Sequence, residues 1–177
     1  MTAEPTADSD PGGSELDAIV AFLGSLGFVV RFERQDGPEA LPGITVEDGV
    51  VAVDPDRLVG AGDLLHECGH LAVMGPARRA SARGRFDSGP AEEMAAIAWS
   101  YAALQHLHLD PAVVFHQHGY GGGGGWVVEA FARGGTIGVP ALCWLGMTSH
   151  ACAGQAIPGA VYPTMIAWLN DGARELR

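Results

Sequence analysis

The stretch Leu64-Leu65-His66-Glu67-Cys68-Gly69-His70-Leu71 constrains this chain more than any other. The apolar set Leu58, Leu64, Leu65, Leu71 and Val73 marks a helix docked on a core, and four-residue spacing puts His66 and His70 on one face of it. Asp54-Pro55 gives a start signal, Gly75-Pro76 gives a stop, and Gly60 and Gly62 divide the segment into a short turn and a helix from about Gly62. On such a helix His66 and His70 can offer two imidazoles to one metal ion. Glu67 lies about 100° round the helix from His66. That is too far for a third ligand but within reach of a nucleophilic water beside the metal, which makes Glu67 the candidate general base. Cys68 points nearly opposite and is not expected to ligate.

In a chain with seven histidines, H-E-x-x-H arises by chance in about one sequence in a hundred, so a third ligand on another element must complete the argument. The long form H-E-x-x-H-x-x-G-x-x-H is excluded, because the chain has Val73 and Pro76 where it needs glycine and histidine. A glutamate from a second helix is the alternative. GPAEEMAAIAWSYAALQHL reads as a helix opening at Pro90, with Glu92 and Glu93 in its first turn. Glu93 shares a stripe with Ile97, Ser100, Tyr101 and Leu104, whereas Glu92 aligns with Ala95, Ala96 and Trp99. A ligand must point where the core-facing residues point, which favours Glu93 over Glu92, with a histidine from elsewhere as the remaining option. Acids at a helix start also favour the macrodipole, so one of the two is expected to serve only there. Two imidazoles, one carboxylate and an open position favour zinc over iron or manganese.

Composition removes other chemistries. All ten basic residues are arginine, so no P-loop lysine or Schiff-base lysine exists. Ten basic against twenty-one acidic residues give a net charge of −11, which repels phosphate backbones, and no nucleic-acid partner is expected. Twelve of the acids precede residue 61. Cys68, Cys143 and Cys152 show no paired spacing, which fits a reducing, cytoplasmic setting without disulfides. The glycine run at 121–125 follows a histidine-rich segment rather than a strand and lacks a lysine, so it is not a phosphate cradle.

The remaining pattern describes one domain. Residues 1–13 read as a disordered tail and 14–177 as a single α+β unit. A first helix runs from a Ser14 cap through Leu16, Ile19, Val20, Leu23 and Leu26 to Gly27. FVVRFERQ and ITVEDGVVAVD, the latter with an Asp48-Gly49 turn, predict a small antiparallel sheet. ARRASARGRF reads as a solvated basic loop or an anion contact, and Asp110-Pro111 opens a short helix through His116 and His118. His106, His108, His116, His118 and Tyr120 are candidates to stabilise an oxyanion, with HQHGY placed to close over the site. No Asp, Glu, Arg or Lys lies between Arg133 and Asp171, which predicts burial partly in the core and partly in a homo-oligomer contact. Its interruptions by Gly138, Pro140, His150, Gln155, Pro158 and Pro163 argue against a membrane span.

The succession of a helix, a small sheet, H-E-C-G-H on a helix, and E-x-x-A on the next resembles the ImmA/IrrE-type metallopeptidases over roughly residues 14–105. The resemblance implies a zincin-like, gluzincin-like domain, zinc on His66, His70 and Glu93, Glu67 as general base, and limited proteolysis of a protein partner. Where the family usually has Ala-Asn followed by an aromatic, this chain has Ala96-Ile97 and then Trp99. The expected activity is zinc-dependent hydrolysis of a protein or peptide substrate. The alternative is a non-catalytic zincin-like module that binds metal or protein.

Overall fold

The computed structural model describes residues 11–36, 42–84, 88–116, 123–151 and 160–176. The first ten residues, Arg85, His118, Tyr120 and Cys152 lie outside them. Helix α1 (Pro11–Ser25) buries Ile19, Phe22 and Leu23. It ends as the pattern predicts, where Gly27 takes a φ of +91° that few side chains tolerate. It starts earlier than the expected Ser14 cap, since the backbone of 11–13 is helical. Pro11 suits a first turn, whose N–H groups have no helical partners.

The sheet comprises β1 (Val29–Phe32), β2 (Ile44–Glu47) and β3 (Val50–Val53). Asp48 and Gly49 turn the β2–β3 hairpin with φ of +49° and +74°, the left-handed pair that an Asp-Gly loop supplies. The expected all-antiparallel sheet is incorrect. The order is β1-β3-β2, and β1 runs parallel to β3. β3 is the most continuously apolar strand, with Val51, Ala52 and Val53 buried, so it takes the centre. β1 is left at the edge with Val29 and Phe32 exposed.

Six helices accompany the sheet among the described residues. α2 (Ala61–Val73) carries the H-E-x-x-H string and packs on α1 and on α4 (Pro90–Leu107). Between them α3 (Pro76–Ala80) occupies part of the expected basic loop. Over 111–116, the described part of the short helix expected through His118, the chain makes a single 3₁₀ turn (Pro111–Val113). α5 (Gly125–Ala132) and α6 (Val139–Trp144) follow, and α6 packs on α4. The charge-free span puts Val139, Leu142, Leu145 and Met147 in the core and leaves Trp144, Val161 and Ile166 exposed. Among the described residues no helix is long and apolar enough to cross a membrane.

Three of the arginines after α2 have protein partners, while Arg78 and Arg83 keep 42% and 63% of their side chains exposed. Arg79 donates to the carbonyls of Leu71, Ala72, Met74 and Asn170 at 2.8–3.3 Å, capping the end of α2. Arg83 pairs with Asp48 in the hairpin turn, and Arg78 reaches Glu92 on α4. Asn170 completes the α2 cap, donating from its backbone to Ala72 O and from its side chain to Val73 O, each at 2.9 Å.

Candidate metal centre

Helical spacing on α2 sets the site. His66 and His70 stand one turn apart, with their Nε2 atoms 3.2 Å apart and their rings nearly perpendicular. His70 is buried, whereas His66 and Glu67 are half-buried, so the site has a dry floor and a wet rim. His66, Glu67 and His70 each bring a ligand-type atom within 4.8 Å of the others.

α4 supplies the fourth side chain. Glu93 places Oε1 3.5 Å from His66 Nε2 and Oε2 3.2 Å from His70 Nε2. Two donors held about 2.0–2.1 Å from a tetrahedral zinc stand roughly 3.3 Å apart. The two Nε2 atoms stand at about that spacing and each faces one oxygen of the Glu93 carboxylate, so two imidazoles and a carboxylate converge as a donor set that fits a zinc ion. Glu67 stands beside the two histidines and, like His66, is half-buried.

Glu92 takes a different place. Its Oε1 approaches His70 from the Nδ1 side at 3.9 Å, away from the point where the Nε2 atoms converge. Arg78 holds both its oxygens, Nη1 on Oε2 and Nη2 on Oε1, the latter at 3.2 Å. Burial divides the pair the other way from the helix stripes. Glu92 is the buried member of the pair, while Glu93 keeps about a third of its side chain exposed, 35%. α4 is covered on nearly every side, with Ala95 through Ser100 all buried, so no single stripe marks the core. Glu93 meets the histidines through its position along α4.

The surroundings act on the ionisable groups. Burial, and then the neighbouring His70 charge, lower the His66 imidazole from 6.5 to about 4 against the opposing pull of Glu93, leaving its lone pair available at neutral pH. The hydrogen bond with His70, and then the histidine charges, hold the Glu93 carboxyl below its usual value despite burial. Burial, and then the charge of Glu67, push the Cys68 thiol far up, consistent with its position off the ligand face.

His106, His108 and His116 occupy separate places. His106 lies against Phe22 and Trp168 at the far end of α4 from Glu93, about 20 Å along the axis. His108 caps that helix in the left-handed conformation. His116 Nε2 lies 2.9 Å from Asp63 Oδ1. Asp63 precedes His66 by three residues on α2, so His116 is anchored one turn from the site. Sequence reasoning missed Asp63, Arg78 and Arg79. The available signal for Arg78 was Glu92 itself: a carboxylate aligned with Ala95, Ala96 and Trp99 requires a cation, and the adjoining loop is the arginine-rich one. Compared with known protein families, with curated proteins and with solved structures, the chain matches none.

Proposed function

We propose that this chain is a zinc-dependent peptidase with a zincin-like, gluzincin-like arrangement, in which His66, His70 and Glu93 hold the metal. The observation that carries the reading is the convergence of these three side chains at 3.2–3.5 Å beside a half-buried Glu67. Bound zinc supplies polarisation of a carbonyl and acidification of a water. Glu67 takes the proton from the attacking water and returns it to the leaving amine. His70 forms the buried floor, and the wet rim at Glu67 and Glu93 is the side from which an extended peptide enters. The resemblance to ImmA/IrrE-type metallopeptidases supports a protein substrate over a free amino acid or small amide.

The test is cleavage of peptide libraries and casein by zinc-loaded protein beside Glu67→Gln. The variant should keep metal and fold while losing hydrolysis by several orders of magnitude. Turnover by Glu67→Gln near the wild-type rate would end the assignment of Glu67. An inactive, zinc-loaded wild type across broad libraries would leave a metal-binding module.

A further inference from the structure

Glu92 sits in the core with its side chain 6% exposed, and a carboxylate there is costly unless it is paired and has a task. Its pairing comes from Arg78 through two N–H groups on two oxygens, a planar fork that fixes the carboxylate in orientation as well as position. α3 starts at Pro76, just after α2 ends at Val73, and the adjacent Arg79 bolts this segment to the carbonyls that end α2. The anchor of Glu92 is thus fastened to the helix that carries His70.

The carboxylate so fixed faces the Nδ1 side of His70 at 3.9 Å, while Nε2 of the same ring faces His66 and Glu93. That separation is longer than a hydrogen bond, so the influence is that of a fixed negative charge on one edge of the ring. A ring that donates its Nε2 lone pair to a cation becomes more positive at its Nδ1–H edge, and a carboxylate there strengthens it as a ligand. We propose that Glu92, locked by Arg78, is a positioning residue for His70: it aims Nε2 at the metal and raises its donor strength. This rests on the reading of His66, His70 and Glu93 as metal ligands. Adjacent glutamates on α4 then divide the work, with Glu93 meeting the cation and Glu92 acting through the imidazole.

The experiment is competition for zinc against a chromophoric chelator, together with the visible spectrum of the cobalt(II)-loaded protein, for wild type, Glu92→Gln and Arg78→Ala. Glu92→Gln should weaken zinc binding roughly tenfold to a hundredfold and shift the cobalt bands, as loss of an outer partner does. Arg78 is 42% exposed, so Arg78→Ala tests the anchor even if Glu92→Gln does not fold: it keeps the charge of Glu92 but frees the carboxylate, and it should shift the cobalt bands. Wild-type affinity and an unshifted spectrum in either folded variant would overturn the proposal while leaving the metal site standing. A wild type that binds neither metal would overturn the site and the proposal together.

Discussion

Gly69 on α2 lies directly against Ala96 on α4: a methyl group at Gly69 would meet the Ala96 carbonyl oxygen at 3.0 Å and Ser100 Oγ at 3.2 Å. The glycine of H-E-C-G-H is therefore what lets α4 approach closely enough for Glu93 to reach the histidines. Alanine at this position gains about 1 kcal/mol of helix propensity but forces apart two backbones that cannot yield as a flexible side chain would. Gly69→Ala should lower stability by about 1–3 kcal/mol and weaken zinc binding by drawing Glu93 back. Urea unfolding and chelator competition measure the two effects separately.

The ligand assignment has a direct check. His66→Ala/His70→Ala should abolish stoichiometric metal in protein purified without chelator, read by elemental analysis. Glu93→Gln should lower zinc affinity by more than the roughly tenfold to hundredfold loss typical of an outer partner. A smaller effect at Glu93 than at Glu92 would exchange their roles.

Acid should loosen the metal-free protein in a defined window. The folded His66 imidazole titrates near 4 against 6.5 for an unperturbed one, so between these values the unfolded chain binds more protons. Stability is then present above pH 6.5 and is lost as pH falls through about 4, by at most about 1.4 kcal/mol per pH unit from this group. Glu93, lowered from 4.5, adds a further loss below its own unfolded value. Urea unfolding in chelator from pH 7 to pH 4 should show the slope, and His66→Gln should flatten its upper part.

Arg79→Met should cost about 2–4 kcal/mol, since it strips a guanidinium from the carbonyls of Leu71, Ala72, Met74 and Asn170. Calorimetry should find the melting temperature lower by roughly 5–15 °C.

Local signals in this chain were legible because their physics is local. His66 and His70 share a face by spacing alone, Gly27 stops α1, Pro90 opens α4, and Asp48-Gly49 turns a hairpin. Alternation in β1 marked a strand but carried no information about its neighbour, so its parallel pairing with β3 was hidden. The position of α4 was hidden for a related reason. A helix covered on most sides has no single apolar stripe to read, and the burial of Glu92 became apparent only with Arg78 beside it. The partners of Arg78, Arg79 and Arg83 were hidden because they lie on other elements or, for Asn170, far along the chain.

The seam between α2 and residues 168–170 also sets an order of events during translation. Both helices of the proposed metal site are synthesised by Leu107, yet Trp99 Nε1 donates to Trp168 O, and Asn170 closes the end of α2 from 97 positions beyond Val73. A nascent chain released only as far as α4 holds His66, His70 and Glu93 on helices whose last fastenings have not yet been made. Contacts of such long sequence separation form late and slowly. The ribosome must therefore have delivered Asn170 before the helix bearing both histidines is secured.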